Sequence, residues 1–197
     1  TLTQSISEGL DCPTYQAATC GYIIQTSQNT GGITTDGLDL SASYLLKLAD
    51  FGKVRFGLHS QYVMDYRLQT YTGGPQLSLD GRFNQGFQPV IRYQQVLSAD
   101  WSRDNVGAGL VNHYLSKYQD YAPDGSGNIV NVGSYSIWNA YFSYKAMPGL
   151  KLVGGINNLF NTNPPFSNQN QNWQSGYNSV FSSPLGRAYY LRGTYSF

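Results

Sequence analysis

Apolar and polar residues alternate with a period of two along most of this chain, in runs long enough to name. Between Thr34 and Leu48, Leu38, Leu40, Ala42, Tyr44, Leu46 and Leu48 alternate with Asp39, Ser41, Ser43 and Lys47. A second run sets Val54, Phe56, Leu58, Tyr62, Met64 and Tyr66 against Lys53, Arg55, His59, Gln61 and Asp65. From Gln88 to Trp101, Pro89, Ile91, Tyr93, Leu97, Ala99 and Trp101 share one parity, and Gln95 interrupts it. From Val106 to Tyr118 the apolar parity is Val106, Ala108, Leu110, Tyr114 and Tyr118, with Asn112 the exception. Further runs span Ser134 to Lys145 (Trp138, Ala140, Phe142, Tyr144), Leu150 to Phe160 (Leu152, Gly154, Ile156, Phe160) and Arg187 to Phe197 (Tyr189, Leu191, Tyr195, Phe197). Successive side chains of a strand point to opposite faces, so each run predicts a strand with one apolar side. Seven strands result, and an eighth is expected at Tyr22 to Gln28.

Length and charge placement say which medium meets the apolar side. About 11 residues at roughly 3.3 Å each, tilted by about 40°, cross the apolar band of a membrane. A Lys or Arg facing lipid near the midplane costs about 2–4 kcal/mol. Lys47, Lys53, Arg55, Arg92, Lys117, Lys145, Lys151 and Arg192 all take the polar parity; Arg187 does not, but it opens its strand. Tight turns are expected at Ala49 to Gly52, Ser102 to Asn105 and Met147 to Gly149. Long loops are expected at Arg67 to Phe87, Gln119 to Gly133 and Asn161 to Gly186. Short turns at one end and long loops at the other are the pattern of an outer-membrane barrel. Aromatic girdles are expected from Trp101, Tyr144, Tyr195 and Phe197 at the short-turn end, and from Tyr66, Tyr118 and Tyr189 at the other.

Composition agrees. Charged residues are 12% of the 197, against about 25% in a soluble domain. The missing charge is not replaced by apolar runs, since no stretch of about 20 apolar residues exists for a membrane helix. The net charge of +1 offers no footprint for nucleic acid. Cys12 and Cys20 stand close together in a weakly patterned stretch, which favours a disulfide over a metal site. No secretory signal pattern precedes them, as expected of a processed chain or a fragment.

Candidate sites are sparse. His59 and His113 take the polar parity without a Cys, Asp or further His placed to complete a metal set, so they read as wall residues. Asp124-Gly125-Ser126-Gly127-Asn128 has the oxygens of a calcium loop but lacks its closing acid, and reads as a loop tip. The amide-rich stretch with Asn168, Gln169, Asn170 and Trp173, and the loop with Tyr71, Arg82 and Phe83, are the expected ligand contacts. No Ser/His/Asp constellation, no paired carboxylates in a plausible cleft and no Gly-rich phosphate loop after a strand is recognised, so an enzyme is not expected and neither cofactor nor metal is implied.

Several segments carry a resemblance. Gly149-Leu150-Lys151-Leu152 leads into Gly155-Ile156-Asn157-Asn158-Leu159-Phe160-Asn161, followed by Asn163-Pro164-Pro165-Phe166-Ser167-Asn168, Gly176-Tyr177 and Pro184-Leu185-Gly186-Arg187-Ala188-Tyr189-Tyr190-Leu191-Arg192, ending at Phe197. Upstream, Asn29-Thr30-Gly31-Gly32-Ile33 precedes Thr35-Asp36-Gly37-Leu38-Asp39-Leu40. This ordered set resembles the C-terminal β-barrel portion of TonB-dependent outer-membrane receptors. The resemblance implies an all-β fold of antiparallel transmembrane strands, about 7–8 of a 22-stranded barrel, with residues 1–197 its C-terminal portion and the plug domain absent. It implies active uptake of a scarce nutrient (siderophore, cobalamin, oligosaccharide or peptide) in the bacterial outer membrane. The partners implied are outer-membrane lipid, TonB, an N-terminal plug, the nutrient ligand and the barrel-assembly machinery, for which Tyr189, Leu191, Tyr195 and Phe197 form the signature. From the residues alone two other readings stay open: a self-contained small outer-membrane barrel with a structural or adhesive role, and a soluble ligand-binding β-barrel.

Overall fold

The computed structural model describes residues 31–84, 86–169 and 176–197. Strands dominate: β1 (Gly32–Lys47), β2 (Lys53–Gln69), β3 (Gln76–Ser78), β4 (Tyr93–Arg103), β5 (Val106–Leu115), β6 (Tyr118–Gln119), β7 (Asn131–Val132), β8 (Tyr135–Met147), β9 (Leu150–Asn157) and β10 (Ala188–Tyr195). Among the described residues the one helical element is a 3-10 turn at Ala49–Phe51, between β1 and β2. Seven long strands pair antiparallel in the order β1-β2-β4-β5-β8-β9-β10; β3 adds to β2, and β6 pairs with β7. The sheet is open, with β1 and β10 at its edges. Cys12, Cys20 and the expected strand at 22–28 lie outside the described residues.

The register shows why the alternation matters. Directly opposed residues lie on one face. Leu46, Val54, Trp101, Ala108, Phe142, Gly154 and Leu191 form one such row across all seven strands. The adjacent row, on the other face, is Lys47, Lys53, Ser102, Gly107, Ser143, Val153 and Arg192. One side of the sheet is therefore a continuous apolar surface, on which Leu40, Phe56, Phe142, Tyr189 and Leu191 are exposed. The other side is mixed: Leu45, Val96, Val111, Ile137 and Val153 interrupt its polar residues.

Two amides that interrupt the apolar face are hydrogen-bonded within the sheet. Gln95 Oε1 accepts from the Tyr93 hydroxyl at 2.7 Å, and Asn112 Nδ2 donates to Ser136 Oγ at 2.9 Å and to the Ile137 carbonyl at 3.1 Å. Each amide thus has one of its two polar ends held by a neighbour in the sheet, which lowers the cost of placing it on an apolar face.

Two glycines hold the polar face together. A Cβ on Gly109 would overlap the Tyr141 ring, and one on Gly155 would overlap the Tyr190 ring. Each Tyr lies flat over the glycine opposite it. Tyr141 thereby reaches across β5 to donate to Asp100 Oδ1 at 2.6 Å. Covering a strand glycine with a neighbouring ring restores the packing the glycine lacks.

Beyond shifts of one to three residues at other strand ends, four departures from the sequence reading have a physical cause. A register shift between Asp36 and Gly37 leaves Met64 without a partner and reverses β2 beyond it. Asp65 pairs with Asp36 on the apolar side, and Tyr66 with Thr35 on the other, opposite to the simple alternation. Asp65 and Arg67 form an ion pair at 2.9 Å. Charges at this position place the bulge beyond the apolar band, which in β2 runs from Lys53 to Tyr62, a length of about 25 Å once tilted. The third strand begins at Tyr93, not Gln88, because Pro89 cannot donate to a ladder and Ile91 is buried elsewhere. The fourth ends at Leu115, and Tyr118 leaves the expected girdle for a buried core. The sixth ends at Asn157, because Asn158 takes a positive φ of 52° and its side-chain amide bonds both the N–H and the carbonyl of Thr162.

Candidate functional site in the long-loop cap

The three long connections, between β2 and β4, β5 and β8, and β9 and β10, leave the same end of the sheet, and their described residues fold onto one another. Phe83, Ile91, Tyr118 and Val132 form a small core, with Leu115, Tyr121 and Phe181 packed against it. The rings of Phe83 and Tyr121 are 5.6 Å apart and those of Tyr118 and Phe181 6.0 Å apart, both tilted, a favourable geometry for aromatic pairs. Backbone bonds join the first loop to β6: Phe83 N–H donates to the Gln119 carbonyl at 2.9 Å, and Gln119 N–H to the Gly81 carbonyl at 2.8 Å.

Polar groups sew in the third loop. Asp120 is 2% exposed, and its carboxylate accepts from Ser167 Oγ at 2.8 Å and from the N–H groups of Asn168 at 2.6 Å and Tyr121 at 2.8 Å. Asn178, equally buried, donates to Gln88 Oε1 at 2.9 Å and accepts from Val180 N–H at 3.0 Å. A buried carboxylate is tolerated only with such donors around it. Arg92 pairs with Asp80, which Ser78 Oγ also contacts.

Burial pushes the Tyr118 phenol up to about 12. Asn178 and Ser167 lower it and the Asp120 charge raises it. Its hydroxyl has no partner of hydrogen-bond geometry among the described residues. A cavity of about 10 Å³ adjoins it, lined also by Asn178, Phe181 and Ser182, roughly the space one water needs.

The expected ligand residues fall into three groups. Phe83 lies in the cap core and Gln169 is 3% exposed, its amide donating to the Tyr177 carbonyl at 3.0 Å. Asn168 is exposed, yet its amide donates to the Pro123 carbonyl at 2.7 Å. These three therefore build the cap. Tyr71 and Arg82 are exposed, and Arg82 lines a cavity of about 420 Å³ with Asp80, Arg92, Tyr93 and Lys117. Asn170 and Trp173 lie outside the described residues. Sequence reasoning missed Asp120, Ser167 and Asn178, for which no local pattern signals burial.

The remaining candidates resolve simply. Asp124 Oδ1 accepts from the N–H groups of Ser126 and Asn128, both at 2.9 Å, so the glycine-rich tip is closed by its own side chain. His59 contacts Ser41 Oγ at 3.0 Å and shares a row with His113 two strands away, about 10 Å apart and too far to share a metal ion. Tyr189, Leu191 and Tyr195 stand exposed on the apolar face of β10, and Phe197 follows, its ring 6.4 Å from that of Tyr195.

The described strands thus form an open antiparallel wall, apolar on one side and carrying a packed cap at its long-loop end. The sequence profile of the family described as "TonB dependent receptor-like, beta-barrel" matches residues 3–159. The chain belongs to this family. No curated protein matches it by sequence. Solved structures match the fold of this TonB-dependent receptor barrel at low identity. The FrpB iron transporter of Neisseria meningitidis (F3-3 variant) is 19% identical with a TM-score of 0.57, over 86% of this chain and 24% of that one. A mutant of the ferric enterobactin receptor PfeA of Pseudomonas aeruginosa is 21% identical with a TM-score of 0.52, over 83% and 22%. The siderophore receptor PirA of Acinetobacter baumannii is 18% identical with a TM-score of 0.52, over 84% and 28%. The chain thus spans about a quarter of the length of the structures it matches. Family and structural neighbours are receptors and transporters, not enzymes.

Proposed function

We propose that this chain is the C-terminal part of the pore wall of an outer-membrane receptor that takes up a scarce nutrient by TonB-dependent active transport. The observation that supports it most is the register. Row by row the long strands build one apolar face, while Lys47, Lys53, Arg55, Lys145, Lys151 and Arg192 take the other and Arg67 and Arg103 stand near strand ends, the arrangement a lipid-bounded, water-lined wall requires. In this reading the apolar face meets outer-membrane lipid, the polar face lines the lumen of a 22-stranded barrel and contacts an N-terminal plug, and TonB acts on that plug from the periplasm. The exposed final strand from Tyr189 to Phe197 is offered to the barrel-assembly machinery.

The cap is the nutrient-facing surface. Its buried polar network fixes three loops relative to one another, so Tyr71 and Arg82 are presented from an ordered support, which lowers the cost of binding. Siderophores, cobalamin, oligosaccharides and peptides all fit such a surface, because the fold supplies the pore and the loops the specificity. The structural neighbours' names make ferric siderophores the first class to try.

Uptake of labelled ferric siderophores by iron-starved cells carrying the complete receptor tests the reading. The expected result is accumulation that stops when TonB is deleted or the proton gradient collapsed, and that falls in an Asp120→Ala receptor present at normal surface level. Accumulation independent of TonB would refute active uptake.

A further inference from the structure

The apolar face has a relief of its own. From β4 through β5 and β8 to β9, one cross-strand row reads Ala99, Leu110, Ala140, Ile156, and the next reads Trp101, Ala108, Phe142, Gly154. Large and small side chains alternate along each row, and the two rows are in opposite phase. The row above continues the pattern with Leu97, Asn112 and Trp138. Positions on this face repeat about every 4.8 Å across the strands and about every 6.6 Å along them, so each recess is the size of one side chain. The surface is a checkerboard, on which Leu110, 43% exposed, and Phe142, 53% exposed, stand as knobs beside recesses floored by alanine and glycine.

A half-used amide lies in the same patch. Gln95 is half-buried one row above Leu97, and it faces Ser60, inside the apolar band that ends at Tyr62 in β2. The Tyr93 hydroxyl donates to Gln95 Oε1, which keeps a second lone pair, while Gln95 Nε2 donates to none of the described residues. Hydrocarbon offers no partner to a polar group, and an unpaired one is costly there. Acyl chains fill recesses but cannot pair with an amide. A second copy of this chain does both, because it carries the same knobs beside the same recesses and an amide that is donor and acceptor at once.

We infer that this part of the apolar face, centred on β4, β5 and β8, is the contact between two copies of the receptor in the plane of the membrane. The inference rests on the reading that this face meets outer-membrane lipid. Two copies inserted the same way up are related by a two-fold axis along the membrane normal, so the same patch serves both sides. Their strands, each tilted by about 40°, then cross at about 80°, and a checkerboard keeps its alternation through a turn near a right angle. Shifted by one position, the knobs of each copy enter the recesses of the other. The two Gln95 amides meet across the axis, each Nε2 donating to the other copy's Oε1. Small residues that permit close packing, together with polar side chains that pair across the contact, are what joins polypeptides in a bilayer.

The complete receptor is the object to test, because a closed barrel has no free sheet edge to pair, whereas β1 and β10 are open edges in this chain. Donor-labelled and acceptor-labelled receptors are mixed in phospholipid vesicles, and energy transfer is followed as lipid is added. The expected result is transfer above that of randomly spread labels, declining on dilution. Filling two recesses with Ala108→Leu and Ala140→Leu should weaken association at least about tenfold. Gln95→Leu should weaken it by about three- to tenfold, yet make the single receptor harder to unfold in lipid, a pairing of effects that loss of fold cannot produce. Leu40→Phe, on the same face of β1 but outside the patch, should change neither. Transfer no greater than that of random labels, or unaltered association in both the filled-recess and the Gln95→Leu receptors, would overturn the inference and leave the recesses to acyl chains. At high lipid dilution, quenching of Trp101 and Trp138 in the folded chain by brominated acyl chains, beside a receptor that never associates, removes this inference alone. Tryptophans unquenched there remove the membrane reading and the inference with it.

Discussion

Replacing Asp120 by alanine should release the third loop from the cap while leaving the sheet intact. The carboxylate is 2% exposed and collects three donors, from Ser167 Oγ, Asn168 N–H and Tyr121 N–H. Hydrogen bonds to a charged group contribute roughly 1.5–3 kcal/mol each, and the Ser167 donor would be left buried without a partner. Tyr121 N–H is the donor nearest the mutated residue and regains part of its loss from water. The sum is roughly 3–5 kcal/mol against the closed cap, and each 1.4 kcal/mol is a factor of ten, so opening becomes on the order of a thousandfold more frequent. Amide hydrogen exchange on the folded chain in micelles reads this directly. Protection should fall by about two to three orders of magnitude at residues 163–169 and stay unchanged in β4, β5 and β8. Asp120→Asn, which keeps one acceptor oxygen, should lose much less. Equal protection in the alanine variant and the parent would refute the role given to this carboxylate.

Other expectations follow from the same geometry. Leu97→Arg, in the middle of the apolar face, should lower stability in lipid by about 2–4 kcal/mol, whereas Ser98→Arg on the lumen face should be nearly neutral; urea unfolding in vesicles compares them. Gly109→Val and Gly155→Val should each cost about 1–3 kcal/mol by displacing Tyr141 or Tyr190, with Gly193→Ala as the mild control, since its added Cβ meets only Leu152 Cδ2 at 3.6 Å. The Tyr118 phenol, raised from 10 to about 12, stays protonated in the folded cap after the unfolded chain ionises. Cap stability from this group is therefore intact below pH 10 and declines between about pH 10 and pH 12, by roughly 2–3 kcal/mol in all. Tyr118→Phe should flatten that decline in exchange measured against pH.

The wall was legible in the sequence because a strand's period of two survives wherever one face meets lipid. Each of the seven long strands overlaps one of the runs that Leu38, Val54, Tyr93, Val106, Trp138, Leu152 and Tyr189 mark, with β1, β2, β4 and β8 reaching two or three residues beyond theirs. Even the lone breaks, Gln95 and Asn112, were visible, though their partners Tyr93 and Ser136 were not. The reading failed where tertiary structure replaces alternation. The bulge at Met64 inverts Asp65 and Tyr66 with no composition signal, and Pro89, Ile91 and Tyr118 carry strand-like parity into a loop core. The cap was illegible because its cohesion lies in contacts between residues far apart in the chain. Asp120 meets Ser167 across 47 positions, and Asn178 meets Gln88 across 90. Amide-rich loops look alike whether they bind a ligand or one another, so Asn168 and Gln169 read as binding residues although their side chains hold the cap.

The central claim is that the apolar face lies against lipid, and the chain's own tryptophans report on it. Trp101 and Trp138 both sit on that face, within rows that also hold Val54 and Leu97. With Trp173→Phe removing the third indole, the chain is reconstituted into vesicles whose acyl chains carry bromine, a contact quencher. The account requires strong quenching of both tryptophans, and none of a tryptophan placed at Ser98 on the opposite face in a variant lacking the other three. Unquenched Trp101 and Trp138, or a quenched residue at position 98, would contradict it.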